Sequence, residues 1–170
     1  MSQIAPRPLS VVVIGGGGHA RVVIDILHAM ARAGEPIDCV GCLTEHRSSS
    51  GAGPVLGPMS ALQDVPHDAS VVAIGDNTVR ARVTGSLPDG ECVAIAKHPT
   101  AIIASDVEIG AGTMICAGAI VCVGARLGRG VILNTGSIVD HHGVVGDFAH
   151  LAPGVRLAGE VRILGVVDDP

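Results

Sequence analysis

Three histidines and two aspartates fall within twelve residues, Val139 to His150, of a stretch otherwise built mainly from Gly, Ala, Val and Ile. They are Asp140, His141, His142, Asp147 and His150. An exposed imidazole beside an acid changes charge near neutral pH and serves as a general base. His141 and its neighbour His142 are therefore the candidate catalytic residues. The competing reading is a set of solvated corner residues with no chemistry. A second group lies near the N-terminus, where Gly15, Gly16, Gly17 and Gly18 precede His19 and Ala20. Gly15, Gly17 and Ala20 fit a G-x-G-x-x-G/A loop, which brings backbone close to a pyrophosphate at a helix N-terminus. A tight strand-to-helix turn without ligand is the alternative. A third group is Gly75, Asp76 and Asn77, followed by Arg80. It faces the same crevice if it ends a parallel strand, or simply caps a helix.

These residues need elements to hold them. Leu9 to Ile14 reads as a strand, and Val22, Val23, Ile26, Leu27 and Met30 recur at helical spacing until Gly34 and Pro36. Ile37 to Leu43 is a second strand, followed by Thr44 and by Glu45, an acidic residue placed to meet a ribose or base. Residues 47–58 read as a mobile loop, Ser70 to Ile74 as a third strand, Val79 to Ser86 as a helix and Glu91 to Ile95 as a fourth strand. This makes residues 1–96 a short Rossmann-like α/β unit.

From residue 97 the pattern changes. Ile103, Ile109, Ile115, Val121, Leu127, Leu133, Val139, Val145, Leu151, Leu157 and Ile163 recur every sixth residue without exception. The position two residues earlier is small or valine throughout, from Ala101 to Val161. Neither a 3.6-residue helix nor a plain alternating strand returns to one face every six residues over so long a stretch. A parallel β-helix does, with one short strand per hexapeptide. Residues 97–163 are assigned to it. Residues 164–170 are left as a non-repeat tail, since the next inward position is Asp169. A solenoid needs capped ends, which points to an N-terminal cap and a homo-oligomer.

Hydrophobic residues make up 48% of the chain, charged residues 16%, and there is a single Phe with no Trp or Tyr. Aliphatics therefore build the cores. A net charge of −5 argues against nucleic acid, whose phosphates require a basic face. No apolar run approaches the ~20 residues of a membrane span, and residues 1–8 hold no apolar leader core; a cytoplasmic location is expected. Cys39 and Cys42 form a CxxC, but residues three apart on a strand face opposite sides, so both read as small buried apolar groups.

The Gly15–Ala20 loop with the RVVIDIL that follows, AIGDNTVR (Ala73–Arg80), VILNTGSIVDHH (Val131–His142) and VVGDFAHLAPG (Val144–Gly154) together resemble the NeuD/PglD-type sugar acyltransferases. The resemblance implies a nucleotide-sugar-binding Rossmann-like domain joined to a left-handed parallel β-helix, assembled as a homotrimer. It implies acetyl-coenzyme A as cosubstrate, no metal, and O- or N-acetylation of a sugar or a UDP-amino-sugar. His141 matches the family's catalytic base, which takes a proton from the acceptor as it attacks the thioester. His150, Asn134 and Gly159 match the acetyl-coenzyme A side. Gly15 to His19, Gly75, Asp76, Asn77 and Arg80 match the nucleotide-sugar cleft. The resemblance also implies that one subunit's α/β domain works with a neighbour's β-helix.

Three departures stand out. His142 occupies a place that is usually acidic, with Asp140 or Asp147 as conceivable substitutes. Thr44 and Glu45 replace a frequent pair of aspartates. The repeat ends several turns earlier than in the family. These departures motivate a second reading, an inactive nucleotide-sugar-binding or assembly protein. Two further readings are a β-helix zinc hydrolyase using His141, His142 and His150, and a nicotinamide-binding fold.

Overall fold

A computed structural model describes residues 7–45 and 53–166 of the 170-residue chain. Strand β1 (Leu9–Ile14) carries four buried aliphatics in succession and sits centrally, as two-sided burial in a parallel sheet demands. Helix α1 (Gly18–Arg32) covers one face with Ala20, Val23, Ile24, Leu27 and Met30. It ends where Gly34 takes φ +92° and the Glu35 amide returns to the Met30 carbonyl. Strand β2 (Ile37–Leu43) follows, then β3 (Val55–Gly57), a 3₁₀ turn at Met59–Asp64, β4 (Ala69–Val72) and α2 (Asn77–Gly85). The sheet is parallel throughout, in the order β3-β2-β1-β4.

Two expectations change here. Part of the segment read as loop over 47–58 lies outside the described residues, but its end forms edge strand β3, joined to β2 through the Cys42 amide on the Pro54 carbonyl. The fourth strand expected at Glu91–Ile95 shrinks to one bridge between Ser70 and Val93. Its continuation, β5 (Ala96–Lys97), instead pairs with the β-helix.

The β-helix comprises β5 and eleven further two-residue strands, from β6 (Ile102–Ile103) to β16 (Arg162–Ile163). Strand β8 is Met114–Ile115, β11 is Ile132–Leu133 and β14 is His150–Leu151. With β7 at Glu108–Ile109, β9 at Ile120–Val121, β10 at Arg126–Leu127, β12 at Ile138–Val139, β13 at Val144–Val145 and β15 at Arg156–Leu157, the strands stack into three sheets, β5-β8-β11-β14, β6-β9-β12-β15 and β7-β10-β13-β16. Residue pairs such as Met114 with Ile132 show that three hexapeptides complete one turn. All eleven inward aliphatics lie in one core; Ile103, Ile109, Leu157 and Ile163 are only partly buried because they belong to the end turns. In the small-residue row, the Thr113 hydroxyl donates to the Gly128 carbonyl at 2.8 Å and accepts from the Val131 amide, so its burial carries no orphaned oxygen.

The corners obey a second rule. Gly112, Gly118, Gly124, Gly130, Gly136, His142, Phe148, Gly154 and Glu160 recur every sixth residue with φ between 57° and 73°. From Gly130 onward each corner amide donates to a carbonyl nineteen residues earlier: Gly136 to Ala117, His142 to Val123, Phe148 to Arg129, Glu160 to His141. Val166 repeats the pattern on Asp147. Leu164 to Val166 thus continue the turn, against the expectation that the segment from residue 164 departs from the repeat; residues 167–170 lie outside the described residues.

A non-glycine residue in the left-handed region costs about 1–2 kcal/mol. Glycine there recovers that strain but loses ~0.5–1 kcal/mol through its freer unfolded chain. Glu160→Gly is accordingly expected to raise the thermal midpoint by roughly 1–4 °C, measurable by calorimetry.

The two units share a core. Met114, Cys116 and Ile132, on the outer side of the β5-β8-β11-β14 sheet, are buried together with Ala20, Val23, Ile24 and Leu27 of α1.

Candidate active site

His150 continues the outward column Ala96, Met114, Ile132. Because α1 covers that column, His150 meets the α/β unit, and its ring centroid lies 6.1 Å from that of His19. Its Nε2 lies 3.1 Å from the Asn134 side-chain amide. Burial lowers the His150 pKa, the Gly75 backbone opposes this, and the Arg80 charge adds to the lowering. His19 is pushed down to about 4 by burial, with His150 and Arg80 adding to it. His19, Gly75, Arg80, Asn134 and His150 are thus brought together at the junction.

The sign of the resulting pH effect follows from proton counting. Between pH 6.5 and about 4 the unfolded chain binds a proton that folded His19 rejects. Stability is therefore complete above 6.5 and falls as pH drops through that window. Unfolding midpoints measured from pH 7 to 4.5 should decline, and His19→Asn should flatten the decline.

Arg80 is placed differently from expectation. It is fully buried. Its Nε donates to the Gly130 carbonyl (2.8 Å), Nη1 to Ile74 (2.8 Å) and Gly75 (3.2 Å), and Nη2 to Asn77 Oδ1 (2.8 Å) and Phe148 (2.6 Å). A guanidinium has five N–H groups, and all are used within the chain. Arg80 therefore clamps the α/β unit to two β-helix corners and has no donor left for a sugar nucleotide. Asp76 likewise caps α2, accepting from the Val79 amide at 2.8 Å. The Asn77 oxygen is committed to Arg80.

A separate cleft of about 420 Å³ opens at the carboxyl ends of β1, β2 and β4, lined by Gly15, Gly16, Thr44, Glu45, Ile74 and Arg82 among others. Gly15 takes φ +131°, and a Cβ there would lie 2.8 Å from the Ala73 carbonyl oxygen. A Cβ on Gly16 would overlap the Thr44 side chain. These two glycines are required by the sheet itself. Among the described residues, nothing lies within 4 Å of a Cβ on Gly17, Gly18 or Gly75, so none of those residues demands their bareness. Glu45 lines the cleft but also accepts from the Met59 amide at 3.1 Å. Arg82, two residues beyond Arg80 on α2, is the arginine that lines this cleft.

His141 and His142 lie on a corner of the β-helix, both exposed. Asp140 Oδ1 accepts the His141 amide at 2.7 Å. That amide is the leading cause of the lowered Asp140 pKa, with the Cys122 thiol also contributing. The two rings meet edge-on, with Nδ1 to Nδ1 3.2 Å. Gly159, one turn above, lies against the His141 ring, where a Cβ would overlap it. Asp147 is not in this group: it bonds the Arg129 amide (2.8 Å) and guanidinium (2.9 Å), whose pull outweighs burial and lowers its pKa. Among the described residues, no group of three or more His, Cys, Asp or Glu is arranged to hold a metal ion, and no helix is long and apolar enough to cross a membrane.

A parallel β-helix bearing corner histidines, clamped to a glycine-looped α/β unit, is the architecture of a two-domain hexapeptide-repeat protein. Residues 10–87 match the PglD N-terminal domain. The chain is 31% identical over 109 residues to UDP-N-acetylbacillosamine N-acetyltransferase of Bacillus subtilis (strain 168), covering 62% of this chain and half of that protein. It superposes on the acetyltransferase domain of PglB from Neisseria gonorrhoeae FA1090, in complex with acetyl coenzyme A, with a TM-score of 0.83 and 31% identity, covering 92% of this chain and 76% of that one. PerB from Caulobacter crescentus, in complex with CoA and GDP-perosamine, gives a TM-score of 0.80 and 30% identity, covering 92% and 83%. The chain belongs to the PglD/NeuD-type sugar acetyltransferase family.

Proposed function

We propose that this protein transfers the acetyl group of acetyl-coenzyme A to the amine of a nucleotide-linked amino sugar, with His141 as general base. The carrying observation is the exposed His141 ring, whose Nδ1 meets His142 Nδ1 at 3.2 Å and whose Nε2 edge lies beside the bare backbone of Gly159. The amine attacks the thioester carbonyl, the new C–N bond forms, and the amine proton passes to Nε2. The C–S bond then breaks, and the proton leaves with the coenzyme A thiolate. Relatives named for N-acetyl transfer, or crystallised with coenzyme A and an amino-sugar nucleotide, support the amine over a hydroxyl.

The cleft at Gly15, Gly16, Glu45 and Arg82 takes the nucleotide portion, and bare Gly17 and Gly18 admit its phosphates. Asn134, His150 and Gly159 remain the acetyl-coenzyme A side of the reading. The ring contact of His141 and His142 is with each other, and the reading has this exposed corner completed by a neighbouring subunit in a homotrimer. Both substrates are cytoplasmic metabolites, and the reaction is assigned there.

The test is thiol release from acetyl-coenzyme A in the presence of UDP- and GDP-linked amino sugars, on protein whose oligomeric state has been measured. Acceptor-dependent release supports the reading. Nucleotide-sugar binding without acetyl-coenzyme A binding by a folded trimer would replace it with the inactive binding-protein reading.

A further inference from the structure

We propose that the acceptor carries a guanine nucleotide, and that Glu45 selects it by accepting from N1–H and N2–H2 of the base. This selection rests on the assignment of the cleft at Gly15, Gly16, Glu45 and Arg82 to the nucleotide, and it names the base that the cleft takes. A guanine nucleotide differs from the UDP-linked acceptor that the family resemblance implies.

The cleft has two lobes. The first, of about 420 Å³, is walled by Ile14, Leu43, Ile74, Val79 and Val83 beside the glycine loop. The second, of about 470 Å³, lies against the 3₁₀ turn at Met59–Asp64 and is lined by Leu62, Gln63, Ser86 and Leu87 among others. Glu45 and Met59 line both lobes and mark their border. Apolar walls suit the faces of a base, which is then read by hydrogen bonds along its edge. A nucleotide whose phosphates rest at Gly17 and Gly18 runs through the first lobe and brings the edge of its base to Glu45. The carboxylate is set for that edge: Oε1 accepts the Met59 amide at 3.1 Å, which turns the side chain toward the 3₁₀ turn. Among the described residues, no Lys, Arg or His forms an ion pair with Glu45.

An ionised carboxylate offers acceptors only. Two adjacent N–H groups on a ligand satisfy both of its oxygens at once, the arrangement that makes bidentate pairs strong. Guanine alone among the common bases presents two such donors side by side, N1–H and N2–H2. Uracil presents one, N3–H, between two carbonyl oxygens, so the second carboxylate oxygen would face a like partial charge. Adenine and cytosine each set a ring acceptor beside their amine. Guanine O6, next to N1–H, needs a donor in turn. Arg82 lines the first lobe and has no ion-pair partner among the described residues, so its guanidinium is the donor for O6.

The test is calorimetric titration of GDP, IDP and UDP into the full chain and into Glu45→Gln. IDP keeps N1–H and lacks N2–H2, so it isolates the second bond. The unsubstituted protein should bind GDP about 10–100-fold more tightly than IDP or UDP, the discrimination of one bidentate pair. Glu45 is exposed, and glutamine keeps an oxygen for the Met59 amide, so the variant should fold. It replaces one acceptor by a donor and should bind GDP and IDP alike. Equal binding of GDP and IDP by the unsubstituted protein would overturn the proposal without recourse to the variant, as would UDP bound as tightly as GDP. An equal loss of all three nucleotides in Glu45→Gln at an unchanged thermal midpoint would also overturn it, placing the carboxylate on the ribose hydroxyls. Failure of all three to bind would remove the cleft assignment and the guanine with it. The titrations contain no acetyl-coenzyme A, so a preference for GDP without acetyl transfer counts against the transferase reading alone. Acetyl transfer to a UDP-linked amino sugar with no preference for GDP counts against the guanine assignment alone.

Discussion

His141→Ala should lower acetyl transfer by about 10²–10⁴-fold, the usual contribution of a positioned general base, while leaving the protein folded. The side chain is exposed, so truncation opens no buried cavity. His141 is not among the residues with positive φ, so alanine adopts its backbone without strain. Asp140 keeps its acceptor role, because it bonds the main-chain amide of residue 141 and not the ring. Exposed substitutions of this kind usually stay within about 0.5 kcal/mol of the parent, a shift of roughly 1–2 °C in midpoint. Acetyl-coenzyme A affinity should be unchanged, since the ring's work begins only when the amine loses its proton. Steady-state kinetics with both substrates, beside a calorimetric scan, separate these effects. A fall below tenfold would move the base elsewhere. His150 is the poorer candidate for that role, because it is half-buried and its Nε2 already meets Asn134.

The β-helix was legible because its rule is local and periodic. Ile103 to Ile163 repeat every six residues, and three such units stack Met114 on Ile132 on His150. The same periodicity held a second message that the aliphatic row alone does not convey. Gly112, Gly118, Gly124, Gly130, Gly136 and Gly154 mark the corners, and His142, Phe148 and Glu160 are the exceptions in that row. Reading the glycine row would have singled out His142 by conformation as well as by type, and would have placed Val166 in step with its predecessors. Strand β3 was obscured because three residues between Pro54 and Pro58, one of them Gly57, carry little pattern; its pairing with β2 creates it. Gly15 and Gly16 were read for a ligand, yet half of that loop's glycine content answers to Ala73 and Thr44. Non-local partners of this sort leave no trace in spacing.

Arg80 is the strongest case, and its replacement tests the difference directly. Arg80→Met preserves much of the aliphatic volume but removes every donor to the Gly130, Phe148, Ile74 and Gly75 carbonyls and to Asn77. Each buried acceptor left without a partner costs about 1–3 kcal/mol, and water reaches only some of them. A net loss of roughly 3–5 kcal/mol follows, in line with breaking a buried charged network, and lowers the thermal midpoint by about 6–20 °C. Burial holds the guanidinium pKa down to about 10, with Asp76 opposing the fall, so it stays charged at neutral pH and donates all five bonds. Arg80→Lys should recover little, because a single ammonium cannot span carbonyls from residues as far apart in sequence as Ile74 and Phe148. If Arg80 instead held the nucleotide sugar, either substitution would raise the acceptor KM and leave the midpoint in place. Loss of stability with an unchanged KM in the surviving folded fraction is the outcome its buried, fully committed guanidinium requires.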